Sequence, residues 1–143
     1  EAMKFNKSML FIQFPPQYTD IDTQVFSDLG FAVEFCQIMD FKEILAIQDK
    51  YRLADFDVIL LDTIYHYTVP TDILDQLKRR VHAAEAEKKK KIYIVGMALG
   101  LKEDQVPTQL ALYDGLFIHW WKTPEEPEIM FANLFAGDEA ARS

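Results

Sequence analysis

The sequence predicts an α/β domain built as a doubly wound, five-stranded parallel sheet, a (βα)5 three-layer sandwich. Apolar runs of strand length recur five times, and a helix-compatible segment follows each of them. Most of the runs are continuous in apolar residues rather than alternating. Continuous runs belong to strands buried on both faces, the situation of a parallel sheet with helices on either side.

Strands are expected at Met9 to Phe14, Phe31 to Ile38, Val58 to Leu61, Ile92 to Val95 and Leu116 to Trp121. The first helix is expected from Thr19 or Asp20 to Gly30, with Val25, Phe26 and Leu29 on one face and the glycine as its stop. The second is expected from Asp40 to about Leu53, because Phe41, Ile44, Leu45 and Ile47 fall at helical spacing. In the third and longest, Thr71 can cap the start and Asp72 and Asp75 favour the positive end. Lys88 to Lys91 favour its negative end, and Ile73, Leu77, Val81 and Ala84 form the buried stripe. This lysine run reads as a solvated helix end rather than a binding patch.

The fourth helix is expected to start at Pro107, whose missing N–H is harmless in a first turn, and to cover Leu110 to Tyr113. For the fifth, Thr123-Pro124-Glu125-Glu126 reads as a capping box followed by Ile129, Met130, Phe131, Leu134 and Phe135. Glu1-Ala2 ahead of Met3 has the character of a tag remnant. The expected division is therefore residues 1–7 as tag remnant and N-terminal extension, 8–136 as the domain, and 137–143 as a polar tail or the start of a linker.

At 143 residues, half of them hydrophobic, the chain is the size of one domain with a substantial core. No apolar run reaches membrane-spanning length and no signal-peptide pattern opens the chain, so a cytoplasmic location is expected, with no membrane contact. The formal charge of -8 opposes contact with a phosphate backbone, and no nucleic-acid binding is expected. The single cysteine, Cys36, sits in an apolar run and reads as a buried, inert thiol. His66, His82 and His119 show no metal-ligand spacing.

Ligands of doubly wound sheets sit at the carboxyl ends of the strands. The turn after the first strand, Gln13-Phe14-Pro15-Pro16-Gln17, contains no glycine, which argues against a nucleotide-phosphate loop. The third strand ends differently: Asp57-Val58-Ile59-Leu60-Leu61-Asp62 places a carboxylate at the mouth of a buried strand.

That stretch resembles the third strand of response-regulator receiver domains, whose final aspartate accepts a phosphoryl group from a histidine kinase. Leu29-Gly30-Phe31-Ala32-Val33 is similar to the entry into the receivers' second strand. Gly115 and Lys122 match the spacing of their fifth strand. The resemblance spans about Ser8 to Phe135 and implies a CheY-like, flavodoxin-like fold. It also implies Asp62 as the phosphoacceptor equivalent and Lys122 as the phosphate-contact equivalent.

Departures from the receiver pattern fall on the chemistry. Receivers hold Mg²⁺ with an acidic pair after the first strand, and the matching positions here are Gln13 and Phe14. A hard divalent cation needs negative oxygens, and the cation is what offsets charge on an incoming phosphoryl group. Asp20 and Asp22 lie beyond two prolines, in the first helix's opening turn, where acids favour the helix dipole. The receivers' Ser or Thr after the fourth strand is replaced by Met97 or Gly96. Their aromatic switch position matches His119, and Thr123 interrupts the usual Lys-Pro pair.

Asp62 then has two readings, a surviving phosphoacceptor or a structural carboxylate paired with Lys122, and the second is favoured. Tyr65-His66-Tyr67 is either a binding loop or a packed one. Trp120 and Trp121, consecutive on a strand, point to opposite faces, so one of them is a candidate interaction anchor unless both are covered by helices.

The expected function is that of a non-catalytic pseudo-receiver, not an enzyme, with no cofactor and no metal. It would act on a protein partner or as a homodimer through the face of the fourth helix, fifth strand and fifth helix, controlling an output domain beyond this chain. The first alternative is a phosphorylatable receiver of a two-component phosphorelay with an atypical metal site, using Asp62 and Lys122. A flavodoxin-like cofactor-binding domain is the second.

Overall fold

The computed structural model describes residues 4–13, 19–62, 69–98, 102–118, 123 and 125–142, without the side chains of 19–23 and 138–142. Its strands are β1 (Lys7–Gln13), β2 (Phe31–Gln37), β3 (Val58–Asp62), β4 (Tyr93–Met97) and β5 (Gly115–Phe117). Its α-helices are α1 (Thr19–Asp28), α2 (Thr71–Lys88), α3 (Val106–Leu110) and α4 (Glu125–Arg142). All strand pairs are parallel, in the order β2-β1-β3-β4-β5. The predicted doubly wound sheet is present. Because β1 is flanked by β2 on one side and β3 on the other, the strand order switches there, and the carboxyl ends of β1 and β3 border the crevice where such sheets place their ligands.

Alternation along the strands divides the core in two. Leu10, Ile12, Ile59, Leu61 and Ile94 face a mainly aliphatic layer that includes Ile73, Leu74, Leu77 and Val81 of α2. Met9, Phe11, Val58, Leu60 and Val95 face a layer rich in phenylalanine, with Phe26 from α1 and Phe131 and Phe135 from α4. Phe131 lies 4.8 Å from Phe31 and 6.1 Å from Phe26, ring centre to ring centre, mostly edge to face as ring quadrupoles favour. Cys36 is buried in the aliphatic layer, and that burial pushes its thiol pKa up, as expected of an inert cysteine.

Several elements differ from expectation for identifiable reasons. The second helix is not α but a 3-10 helix, Phe41–Asp49, followed by a 3-10 turn at Leu53–Asp55. Phe41, Ile44 and Ile47, which are partly or fully buried, recur every three residues, the period of a 3-10 turn. Asp40 starts it with a capping box: its side chain accepts from Lys42 N–H at 2.8 Å, and Glu43 Oε2 accepts from Asp40 N–H at 2.7 Å. α2 begins at Thr71 itself, so Pro70 and not Thr71 occupies the cap, without a side-chain hydrogen bond. A 3-10 turn, Glu103–Gln105, precedes α3, which stops at Leu110. β5 ends at Phe117, and residues 119–121 of the predicted strand lie outside the described residues. β2 is an edge strand and therefore alternates in burial instead of being covered on both faces.

Residues just before β1 pack on the rest of the structure: Phe5 N–H donates to Leu29 O at 3.2 Å, and its ring lies 5.3 Å from that of Phe135. At the other end α4 continues to Arg142 where a polar tail was expected. The intervening Gly137 costs a helix only about 1 kcal/mol relative to alanine, and the residues around it include good helix formers. Gly30 stops α1 as expected, with φ +95°. A Cβ there would lie 2.8 Å from the backbone nitrogens of Lys4 and Phe5, so both conformation and space require glycine.

Tyr113 closes the β4–β5 edge of the aliphatic layer, its ring 3.0 Å from where a Cβ on Gly96 would lie. Burial pushes its phenol from the ordinary value of 10.0 up to about 12. Folding therefore favours the neutral phenol: this contribution is intact below the unfolded value and is lost as pH rises through about 12. Tyr113→Phe should flatten the fall of stability across that interval in urea titrations at stepped pH. Parallel curves for the two proteins would show that Tyr113 is not the group involved.

Candidate functional site

The carboxyl ends of the three central strands meet in one row. In the sheet register Gln13 of β1 pairs with Asp62 of β3, which pairs with Met97 of β4. Gln13 and Asp62 are each 1% exposed, the two polar side chains buried in the core among the described residues. Gln13 Nε2 donates to Asp62 Oδ2 at 2.5 Å. The direction is fixed by chemistry, since an ionised carboxylate only accepts and the amide nitrogen only donates. Gln37, at the end of β2, lies opposite Gln13 on the other side, and Ile38 N–H donates to the Gln13 carbonyl at 2.9 Å.

Burying a carboxylate is costly unless hydrogen bonds replace its water, and the Gln13 amide supplies one. The same amide changes what the row can hold. A carboxylate at position 13 would add a negative oxygen facing Asp62; the amide instead turns an N–H toward that carboxylate and adds no charge. Met97, fully buried, presents a thioether where a hydroxyl would be needed to follow a phosphate. Among the described residues no group of three or more His, Cys, Asp or Glu side chains could hold a metal ion. Among the described residues, the side chains that end the strands beside Asp62 are an amide and a thioether, whereas Mg²⁺ binds through carboxylates and water.

Of the residues singled out from sequence, Gln13, Asp62 and Met97 are brought together, with Gly96 one residue before Met97 on β4. Phe14, the Tyr65-His66-Tyr67 stretch, His119, Trp120, Trp121 and Lys122 lie outside the described residues. Asp20 and Asp22 fall in the first turn of α1. Sequence reasoning assigned Asp62 to Lys122 and missed Gln13 as its hydrogen-bond partner. Two polar residues ending adjacent apolar strands were the available signal.

The opposite end of the sheet carries the carboxylates that strand starts require. Asp57 accepts from Ser8 N–H at 2.9 Å, Glu85 from Ile92 N–H at 2.8 Å, and Asp114 from Ile94 N–H at 2.7 Å. Lys90 pairs with Asp57 at 3.2 Å, Lys88 with Asp55 at 3.5 Å, and Lys91 bridges Glu85 and Asp114 at 3.6 and 3.8 Å. Most of the lysine run thus matches local acids, in agreement with its reading as a helix end.

The backbone is similar to solved receiver structures. The receiver domain of the sensor histidine kinase PA1611 from Pseudomonas aeruginosa PAO1, determined with a magnesium ion coordinated in its active-site cleft, gives a TM-score of 0.58 at 15% identity, over 90% of this chain and 98% of that one. The chemotaxis response regulator CheY4 of Vibrio cholerae gives 0.59 at 17% identity, over 93% and 99%. NtrX from Brucella abortus gives 0.66 at 12% identity over 96% of this chain, which spans 29% of NtrX. No protein-family model matches the chain, and no curated protein does. At these identities the likeness is one of fold: the chain has the CheY-like receiver fold of response regulators, a flavodoxin-like α/β sandwich.

Replacing Gln13 with leucine keeps the volume but withdraws the amide from a buried carboxylate. Gln13→Leu should lower unfolding free energy by about 1–3 kcal/mol, measured by urea denaturation at neutral pH. A variant as stable as the parent would show that the amide does not support Asp62.

Proposed function

We propose that this domain is a pseudo-receiver: a non-catalytic signalling module of a cytoplasmic response regulator that acts through protein contacts and controls an output domain beyond this chain. The observation that carries the reading is the buried hydrogen bond from Gln13 Nε2 to Asp62 Oδ2. In a working receiver, in-line transfer onto the aspartate depends on a cation that neutralises charge on the phosphoryl oxygens. Here an amide occupies the side of Asp62 from which a second carboxylate would help hold that cation, and Met97 supplies no hydroxyl. The domain is not an enzyme in this reading, and it needs neither cofactor nor metal. Among the described residues no helix is long and apolar enough to cross a membrane, which fits a role in the cytoplasm.

Partner contact is assigned to the face formed by α3, β5 and α4. Leu110 on α3 and Ile129 on α4 are 51% and 58% exposed, two of the three large hydrophobics that remain exposed among the described residues. Trp120 and Trp121, just after β5 in the sequence, are proposed as additional anchors on this face.

Incubation with Mg²⁺ and a small phosphodonor such as acetyl phosphate, followed by intact mass spectrometry, tests the chemistry. The expected mass is that of the unmodified chain, while the double variant Gln13→Asp, Phe14→Asp should gain Mg²⁺ affinity. One phosphoryl group mapped to Asp62 in the parent protein would refute the reading and establish the phosphorelay alternative.

A further inference from the structure

We infer that the cleft between the 3-10 segments and the second half of α2 is a binding site for a small organic anion, a carboxylate or phosphate ester carried on a flat apolar body. The cleft has a volume of about 420 Å³, within the about 300–1,000 Å³ of small-molecule sites. It exists because small side chains meet there: Ala54 of the turn Leu53–Asp55 and Ala83 and Ala84 of α2 line it, and none of them can fill the space. Leu53 and Ala54 are buried and make its floor apolar. Tyr51 forms a wall that is held at two points: its hydroxyl donates to Phe35 O at 3.3 Å, and its ring lies 6.2 Å from that of Phe56, edge to face. A wall fixed in advance loses little freedom when a flat ring packs against it. Because the turn leads into β3 and α2 ends just before β4, the cleft lies toward the amino ends of the strands, away from Asp62.

The charges select the sign of the ligand. Lys50, Arg52 and Arg80 line the cleft together with Asp49 and Glu87, a positive excess on a chain whose formal charge is -8. Arg52 is matched by Glu87 at 2.5 Å and lies 3.9 Å from Asp55, which also meets Lys88 at 3.5 Å. Among the described residues neither Lys50 nor Arg80 forms an ion pair, and the one lining acid left without a cation is the exposed Asp49. Arg80 Nη1 donates to Leu45 O, which fixes the guanidinium and uses one of its five N–H groups. Lys50 Nζ stands 5.4 Å from the centre of the Tyr51 ring. An anionic head group beside Lys50 and Arg80, with its ring on the Leu53–Ala54 floor and against Tyr51, uses both the charge and the apolar surface. A cation would meet the positive excess, and a bare inorganic anion would leave the floor uncovered.

The probes are 1-naphthoate and 1-naphthyl phosphate, with 1-naphthylmethylammonium as the control of opposite charge. In ¹⁵N–¹H NMR titrations of the intact chain, at least one anion should give saturable shifts centred on residues 48–54 and 80–87, at a dissociation constant of about 1 mM or below. The tighter of the two identifies the head group, and the ammonium should leave these amides unmoved. Affinity should fall at least about fivefold in Lys50→Gln, which removes a charge, and in Ala83→Phe, which fills the cleft. Both positions are exposed, so these variants keep the fold. Arg80→Gln should weaken binding as well. Absence of saturable shifts with either anion, equal binding of the ammonium, or affinities unchanged in Lys50→Gln and Ala83→Phe would each overturn the inference. None of these outcomes bears on phosphoryl transfer at Asp62, which the mass measurement decides separately.

Discussion

At the mouth of this sheet a neutral amide donates a hydrogen bond to a buried carboxylate. Asp62 ends a strand whose every residue is buried, so whatever stands beside it must replace the water it loses. Gln13 meets that need from the adjacent strand at 2.5 Å. A second carboxylate at that place would repel Asp62 unless a cation sat between them, which makes a metal-dependent site metastable without its metal. In the proposed reading the glutamine removes this dependence and, with it, one of the acids that would gather a divalent ion, so that stability at the mouth and competence for phosphoryl transfer are in opposition at position 13.

The distribution of charge over the rest of the domain follows the same division. At the amino ends of the strands, Asp57, Glu85 and Asp114 occupy strand N–H groups, and the lysines after α2 balance them. Those carboxylates hold the fold together. The two faces of the sheet are likewise specialised: the α1–α4 side is a cluster of interlocking phenylalanine rings, while the α2 side is mainly aliphatic and borders the 3-10 segments. Rings packed edge to face define a single arrangement more sharply than flexible aliphatic chains do. Against this scaffold, Leu110 on α3 and Ile129 on α4 remain exposed.

Most of the architecture was legible in the sequence because parallel strands buried on both faces write continuous apolar runs. Val58 to Leu61 and Ile92 to Val95 are of this kind, and β3 and β4 fall on or beside them. The 3-10 helix was not, because Phe41, Ile44, Leu45 and Ile47 satisfy both a period of 3.6 and a period of 3.0 over so short a span. Thr71 misled for a related reason: a good capping residue stands one position inside the helix, after a proline whose fixed φ begins it equally well. The site was half legible. The missing acids at Gln13 and Phe14 could be read directly, but the bond from Gln13 to Asp62 depends on strands 49 residues apart ending in register, which residue type alone does not specify.

The central claim is that the Gln13 amide stands beside Asp62 where an acidic residue would help hold a metal ion. It is tested most directly by following the Gln13 side-chain NH₂ resonances and the Asp62 backbone amide in ¹⁵N–¹H spectra during a Mg²⁺ titration to about 10 mM, well above the range in which a carboxylate-rich site would fill. Unmoved signals, with the Gln13 NH₂ protected from exchange by its buried bond, are the predicted result. A saturable shift centred on Gln13 and Asp62 would contradict the account.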